Sequence, residues 1–514
     1  MNRKKTQALT RAALILGILI LVNFISIRLF GRLDLTKQGV YTLSDASRKL
    51  VGSLDDRVNV KAYFTEDLAA PYNSYRRTVL DILNEYKAYS SGNLTFEFIS
   101  PQGEKGEQEA QQQGIPPAQV NVFKEDKLEV VRAYFGLIFL YEDRKETLPT
   151  VQNLGSLEFD VSSTIKRLVT RTKKKIGYTT GHQETNMSDL KQASQILNQL
   201  YDVVPVDLSS AKSVPSEITS LLVIAPQSRF SDSAKSAIDQ YIMSGGKVAF
   251  LLNKMNANLQ ARFAQPMDVG LDDLLEQYGV RMNGDLVRDF QCATVSMQQQ
   301  QGMFQFVSQV PFPYMPVGSD FDQANSMVKN LQGITFYFVS SLDTTLATSK
   351  GLKASVLIRS SKRSGRQAGF TPIDPLKRYT AAELAESGIP LAAVVEGSFQ
   401  SLFTGKPLTP GLTSSPNTRI LVVGDGDFMR DEMRGSRDNM TFFANIVDYL
   451  ADDAGLITIR SKNIATPPLE QISDGTRQFL KYTNLVVPSL LVAGYGLFRW
   501  RRRVAIKKSL EAQL

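Results

Sequence analysis

The stretch that decides the fold is Ser220–Leu252, SLLVIAPQSRFSDSAKSAIDQYIMSGGKVAFLL. Its two apolar runs are typical of buried strands, and the pattern of Asp232–Met243 between them is typical of a helix. Gly245 and Gly246 predict a C-cap turn where that helix ends. Strands that alternate with helices in this way form parallel sheets with helices on both faces.

The flanking sequence repeats this alternation. KIGYTTG, Asp189–Leu200 and YDVVPVDLS precede the stretch, and IPLAAVVEG, RILVVGDGDF and Asn439–Leu450 follow it. We therefore predict an α/β ectodomain with a parallel sheet over residues 151–465. Its Gln- and Pro-rich part near 289–317 is expected to be an irregular excursion. Residues 31–150 are predicted to hold a juxtamembrane connector and a β-α-β-hairpin unit that resembles a thioredoxin-like fold without C-x-x-C.

Two uncharged apolar segments near the ends predict membrane anchors. Residues 12–30 and 483–498 are the expected transmembrane helices, and 466–482 is a membrane-approach segment. The tails 1–11 and 499–514 are basic, which predicts that both lie in the cytoplasm and that the domain between them is exterior or periplasmic. These topology signals are Arg3, Lys4, Lys5, Arg11, Arg499, Arg501, Arg502 and Arg503. The alternatives are a cleaved signal peptide at the first segment and a buried core helix at the second.

Composition excludes several functions. The chain has 514 residues, a net charge of +8, one Cys and one His. These counts exclude an internal disulfide, a multi-Cys zinc site and a cysteine-held iron–sulfur cluster, so we expect no cofactor. The two basic tails account for the whole net charge, which leaves the intervening residues close to neutral. The charge is therefore an orientation signal toward lipid, and binding of nucleic acid has no support.

Two acidic motifs follow predicted strands, where open parallel sheets bind ligands. The first, Gly181–Glu184, offers His182 and Glu184 for ligand binding or acid–base work. The second, Gly424–Phe428, offers Asp425 and Asp427, which could hold Mg²⁺ or Ca²⁺. The alternatives are hydrogen bonds to the neighbouring backbone for the first pair and a helix N-cap with a turn for the second. We expect ligand binding at these four residues, with no metal site and no catalytic set.

No phosphate-binding G-x-x-x-x-G-K-[ST] loop and no G-x-S-x-G nucleophile elbow occurs in the sequence. Its motifs, in order, resemble the gliding-motility-type ABC transporter auxiliary proteins (the GldG family). They are LDLTKQGVYTLSDASRKLV, IGYTTGHQE, LLVIAP, DQYIMSGGKVAFLL, DDLLEQYGV, PLAAVVEGSF and RILVVGDGDF, between two anchors. The resemblance implies a glutamine-amidotransferase-like α/β part without catalytic residues, a pseudo-enzyme. The family usually has G-H-G-E and G-D-S-D-F, where this chain has GHQE and GDGDF.

The function expected from this resemblance is a non-enzymatic, substrate-binding auxiliary subunit in the bacterial inner membrane, with a separate ABC permease and ATPase as partners. Gliding motility does not follow from the name. One alternative is an envelope hydrolase that uses His182, Glu184 or the Asp425/Asp427 pair. Another is an envelope structural scaffold with no coupling to transport.

Overall fold

A computed structural model of the chain describes residues 14–15, 17–18, 42–70, 72–124, 127–151, 153–210, 213–301, 304–405, 411–433, 435–461 and 474–511. The chain divides into two compact units, residues 1–464 and 465–514, and each is described by itself. The architecture is a mixed α/β fold with several sheets.

The first part of the larger unit is built around a four-stranded sheet. Its elements are α1 (Asp45–Gly52), β1 (Val58–Phe64), α2 (Tyr75–Tyr89), β2 (Leu94–Ile99), α3 (Gly103–Gln112), β3 (Ala118–Lys124), β4 (Lys127–Ala133), β5 (Phe135–Tyr141), β6 (Arg144–Leu148) and α4 (Leu157–Val169). The strand order is β2-β1-β5-β6, with β1 parallel to β2 and antiparallel to β5. Strands β3 and β4 form a separate hairpin. Helices α1, α2 and α4 supply buried residues to the same apolar core as β1 and β5.

Helix α3 forms in a segment rich in Gln, Glu and Gly, a composition that by itself is also typical of a loop. Glu and Gln have good helix propensity, and burial of one small side chain, Ala110, is enough to anchor the helix. The long apolar run before residue 142 also divides into two strands, β4 and β5, that belong to different sheets.

The rest of the larger unit surrounds an eight-stranded sheet. Its elements are β7 (Lys174–Thr180), α5 (Lys191–Leu200), β8 (Tyr201–Asp207), β9 (Ile218–Ile224), α6 (Asp232–Met243), β10 (Lys247–Leu251), β11 (Met255–Asn258), β12 (Phe263–Pro266), α7 (Asp272–Gln277), β13 (Arg281–Met282), β14 (Asp285–Asp289), β15 (Cys292–Gln301), β16 (Phe304–Gly318), β17 (Asp320–Phe321), β18 (Ile334–Thr335), β19 (Leu342–Asp343), α8 (Thr345–Ser349), β20 (Lys353–Arg359), β21 (Ser364–Ala368), β22 (Thr371–Pro372), β23 (Pro390–Gln400), β24 (Ser414–Val423), α9 (Arg437–Leu450) and α10 (Ala454–Ser461).

The large sheet is mixed rather than wholly parallel. Its order is β17-β20-β23-β24-β10-β9-β7-β8. The five strands from β24 to β8 are parallel, as expected, whereas β23, β20 and β17 extend the sheet in antiparallel pairs. The apolar composition of IPLAAVVEG shows that this strand is buried but carries no information about its direction.

Helices cover both faces of the large sheet because residues on each parallel strand alternate between two cores. Leu222 and Ile224 of β9 pack with α5 in one core, and Leu221 and Val223 pack with α6 in the other. Ser231 begins α6 as its N-cap, since its Oγ accepts the Ala234 N–H at 3.2 Å. The helix between Asp232 and Met243 has the bounds that its pattern predicts.

The described residues of the segment 289–317 are not irregular, which corrects the sequence-based expectation. They form most of a long antiparallel hairpin, with Val295 opposite Val310 and a register shift near Cys292. Gln has no strong preference for strands, but the hydrogen bonds between paired strands satisfy the backbone whatever the side chains are. The sequence did not reveal the hairpin because pairing between strands leaves no periodic pattern of apolar residues here.

The smaller unit contains one long helix, α11 (Asp474–Glu511), with Pro488 inside it. It includes the expected second span, residues 483–498, and extends beyond it at both ends through segments that contain charged residues. Of the expected first span, residues 12–30, all but 14, 15, 17 and 18 lie outside the described residues. Among the residues that the structure describes, no helix combines the length and the apolar character that a membrane crossing requires.

Candidate functional site

The strand order places a cleft between the carboxyl ends of β7 and β9. From β7 the chain passes through α5 to the edge strand β8, then returns to β9 on the other side of β7 and continues through α6 to β10. The loops that follow β7 and β9 therefore diverge to opposite faces. Such a reversal of strand order is where open α/β sheets bind ligands.

A cavity of about 340 Å³ occupies this position. Its wall comes from the loops that follow four parallel strands, β7, β9, β10 and β24, together with residues near 337. The residues that line it are Gln183, Glu184, Thr185, Asn186, Asp189, Ala225, Gln227, Asn253, Met255, Asn256, Ala257, Met267, Tyr337, Phe338, Asp427, Arg430 and Met433. The size lies in the range of sites for small molecules.

His182 and Glu184 form a buried pair at the end of β7. The imidazole stacks on the Phe230 ring, with the ring centroids 3.9 Å apart and the planes at 8°. Glu184 Oε2 accepts the backbone N–H of His182 at 2.7 Å. Glu184 Oε1 lies 3.6 Å from His182 Nδ1, and neither of these two atoms has a hydrogen-bond partner in the described part of the chain. The alternative expected from the sequence, a hydrogen bond to the neighbouring backbone, thus accounts for Oε2 of Glu184 and leaves Oε1 without a donor among the described residues.

The backbone around the cavity is strained at three positions. Gln183, Ala225 and Phe338 line it with φ values of 56°, 44° and 58°, in the left-handed region that side chains disfavour. Residue 183 is where the resembling family has glycine, so the turn keeps the glycine conformation without the glycine. Strain of this kind concentrates at ligand-binding and catalytic sites.

Asp425 lies beneath the cavity and does not line it. Its side chain is inaccessible to solvent, Oδ2 accepts the Tyr337 N–H at 2.6 Å, and Oδ1 accepts the Asp427 N–H at 2.7 Å. Burial, with the Asp427 charge second, raises the pKa of Asp425 well above its ordinary value. This carboxyl group fastens the loop after β24 to the segment that carries Tyr337, which is a structural role.

Asp427 reaches the cavity wall. Its Oδ2 accepts the Asn253 side-chain N–H at 2.7 Å, and its Oδ1 lies 3.3 Å from Arg430 Nη1. Asn253 in turn accepts the Gly426 N–H at 2.8 Å, which joins the loops after β10 and β24. Gly426 has to be glycine in this backbone, because a Cβ there would lie 2.7 Å from that of Ala225.

The structure thus brings the two sequence motifs to one cavity, with Glu184 and Asp427 in its wall and His182 and Asp425 behind it. Asn253, Tyr337 and Arg430 were missed. Asn253 follows the apolar strand β10, so the rule that ligands bind at the carboxyl ends of parallel strands could have found it. No local sequence pattern distinguishes Tyr337. Over the described residues, no group of three or more His, Cys, Asp or Glu side chains is arranged to hold a metal ion.

Comparisons with known proteins identify the family. The model of a family described as an ABC-type uncharacterized transport system matches residues 173–452, and a domain of unknown function matches residues 37–140. An uncharacterized protein of Borreliella burgdorferi is 23% identical over 98% of this chain and 99% of its own length.

Two solved structures resemble the chain only loosely. The N-terminal domain of mmIFT52 is 15% identical with a TM-score of 0.33, over 54% of this chain and 97% of its own. The exo-β-1,4-mannosidase Op5Man5 of an Opitutaceae bacterium is 8% identical with a TM-score of 0.24, over 76% and 50%. Because its family model spans more than half of the sequence, including every strand of the large sheet, the chain belongs to the family of ABC-type transport-system auxiliary proteins.

Proposed function

We propose that this chain is a non-enzymatic, substrate-binding auxiliary subunit of an ABC transporter of the GldG type, anchored in the bacterial inner membrane and acting with a separate permease and ATPase. The observation that carries the proposal is the cavity at the reversal of strand order, inside the region that matches the transport-system family. It has the size and position of a ligand site, and its described lining includes neither Ser nor Cys. The sole Cys of the chain, Cys292, belongs to β15 instead.

The proposed topology has both termini in the cytoplasm and the large unit outside. Helix α1 follows the first proposed anchor in the sequence, and α10 precedes the second. The two helices are in contact: a Cβ built on Gly455 would lie 3.3 Å from Ala46 Cβ, and Lys166 pairs with Asp453 beside them. Chain ends that leave a domain side by side are compatible with two anchors in one bilayer.

For the part before residue 150 we propose a thioredoxin-like fold. The support is the order β2-β1-β5-β6, with one parallel pair joined through α2 and an antiparallel hairpin after it. For the large sheet and its helices we propose a glutamine-amidotransferase-like fold that lacks the catalytic residues. Dithiol redox chemistry is excluded in either part, since the chain has a single Cys.

A genetic comparison tests coupling to transport. Deleting this chain and disabling the ATP site of its proposed partner ATPase should produce the same cellular phenotype, because each change removes one part of one transporter. A deletion phenotype that inactivation of the ATPase does not reproduce would favour the structural scaffold.

The envelope hydrolase remains the second candidate, because Glu184 and Asp427 share a cavity with a buried histidine behind it. The hydrolase needs these groups for proton transfer, so alanine at His182, and separately at Asp427, should abolish its activity. Unchanged cellular function in both variants, with normal amounts of folded protein in the membrane, would exclude the hydrolase.

A further inference from the structure

Tyr337 brings an unused hydroxyl group to the cavity. The residue lines the cavity and is only 5% exposed. Its hydroxyl makes no hydrogen bond with any of the described residues, and protein atoms do not enclose it completely. Burial raises the pKa of this phenol to about 12, so it is a neutral group that can both donate and accept. Because a buried hydroxyl without a partner is costly, this one calls for a partner that enters from the cavity.

The other accessible polar groups of the wall are mainly side-chain amides. Gln183, Asn186 and Asn256 are exposed wall residues, and their amide groups bond to no other side chain or backbone group of the described residues. Gln227 donates one N–H to a backbone carbonyl at 3.2 Å and keeps its side-chain oxygen open. Each amide offers donors and an acceptor without a charge. The wall therefore presents neutral groups of both kinds to a ligand.

The carboxylates of the wall are mostly engaged within the protein. Glu184 Oε2 accepts a backbone N–H, and its Oε1 is enclosed by protein atoms. The two oxygens of Asp427 are occupied by Asn253 and Arg430. Asp189 is the remaining carboxylate of the wall. Charge is therefore not the main property that this cavity offers to a ligand.

We propose that this cavity binds a neutral sugar, whose hydroxyl groups bond to the Tyr337 hydroxyl and to the wall amides. Sugar hydroxyls both donate and accept, as these groups do. The apolar wall residues, among them Phe338, Met255 and Met267, supply contacts for the C–H groups of the sugar ring. A peptide also has neutral donors and acceptors, but extended peptides bind along an open strand edge, whereas this cavity lies at the ends of strands. This inference rests on the proposed function and names the chemical class of its substrate.

The test is calorimetry and thermal unfolding of the full chain in octaethylene glycol monododecyl ether, a detergent whose head group contains no sugar. The probes are the methyl glycosides of glucose, galactose, mannose and N-acetylglucosamine, with sorbitol and trialanine as comparisons. We expect at least one glycoside to bind and to raise the unfolding temperature. Sorbitol should bind at least about tenfold more weakly, because its open chain has to be ordered on binding. Absence of binding by all four glycosides at millimolar concentration, equal binding of sorbitol, or binding of trialanine alone would overturn the proposal.

Tyr337→Phe is the first variant, because it removes one oxygen and keeps the ring. The hydroxyl bonds to no described residue, so the urea midpoint of unfolding should stay unchanged while the affinity for the glycoside falls about tenfold. Tyr141→Phe is the matched control, since Tyr141 is 7% exposed and belongs to β5 of the other sheet, and it should bind as the wild type does. Equal affinity in Tyr337→Phe and Tyr141→Phe contradicts the proposal.

Asn256→Trp is the second variant and places a large ring at an exposed position of the wall. It should abolish glycoside binding by filling the cavity and should leave the core of the protein intact. Binding that persists in this variant lies elsewhere on the protein and would also overturn the proposal. Co-purification of an ATPase and a permease with wild type and variants alike would leave the proposed function standing when the sugar fails.

Discussion

Replacing Asp425 tests whether this carboxyl group is a structural support rather than a ligand residue. In Asp425→Ala the N–H groups of Tyr337 and Asp427 lose their acceptors inside the protein. Each unpaired buried donor costs about 1–3 kcal/mol. Removing the buried carboxylate also removes its desolvation penalty, which is the main cause of its raised pKa. We therefore expect the free energy of unfolding to fall by about 3 kcal/mol, which lies in the lower half of the range for two unpaired N–H groups.

Two further variants sharpen this expectation. Asp425→Asn keeps one acceptor oxygen and should lose about half as much stability. Asp427→Asn is the matched control at the cavity wall, where the side chain is 19% exposed and the bond from Asn253 survives, so its cost should stay under about 1 kcal/mol. The assay is urea unfolding of the full chain in detergent, followed by far-UV circular dichroism. Equal unfolding midpoints for Asp425→Ala and Asp427→Asn would refute the structural role.

The raised pKa of Asp425 also gives a sign for the pH dependence. A carboxyl group whose pKa is higher in the folded protein than in the unfolded chain binds protons preferentially in the folded state. Its contribution to stability is therefore present below its ordinary pKa of 3.8 and is lost as the pH rises through the higher folded value. Asparagine does not titrate, so the stability of Asp425→Asn relative to wild type should improve as the pH rises. A difference that widens with pH would contradict this sign.

Three other predictions follow from single positions. Gln183→Gly should raise the unfolding free energy by up to about 1 kcal/mol, since glycine adopts φ 56° without strain, and a clear loss of stability in the same urea assay would contradict this. Arg460→Ala should cost about 3 kcal/mol, because Arg460 Nη1 lies 2.8 Å from the buried Asp448 carboxylate, and a cost below about 1 kcal/mol would refute that pairing. Burial raises the pKa of the Cys292 thiol to about 11, so alkylation by iodoacetamide should be slow at pH 8 and accelerate toward pH 11. An alkylation rate at pH 8 equal to that of a free thiol would contradict this prediction.

Much of the fold can be predicted from the sequence where the signal is local. Helix α6 has a capping serine, an apolar stripe and a terminal glycine, and its bounds match the prediction. The central strands β9 and β10 contain continuous apolar runs, which are typical of strands buried on both faces. The direction of β23 and the pairing of β15 with β16 depend on contacts between distant residues, and no local pattern encodes them.

The same distinction applies to the candidate site. The rule that ligands bind at the carboxyl ends of parallel strands located Glu184 and Asp427, and the structure brings both to one cavity. It could not separate Asp427 in the wall from Asp425 behind it, since the two lie two residues apart in one turn. Their roles differ because Tyr337, distant in sequence, donates its backbone N–H to Asp425 alone.

Affinity purification of the full chain from membranes in mild detergent, followed by quantitative mass spectrometry, tests the central claim most directly. The chain carries no phosphate-binding loop of its own, so an auxiliary subunit must meet its ATPase as a separate protein. We predict that an ABC ATPase and a multi-span permease co-purify with it in comparable amounts, and that Tyr337→Phe retains both. Recovery of the chain without either protein, under conditions that keep a control ABC transporter assembled, would contradict the account.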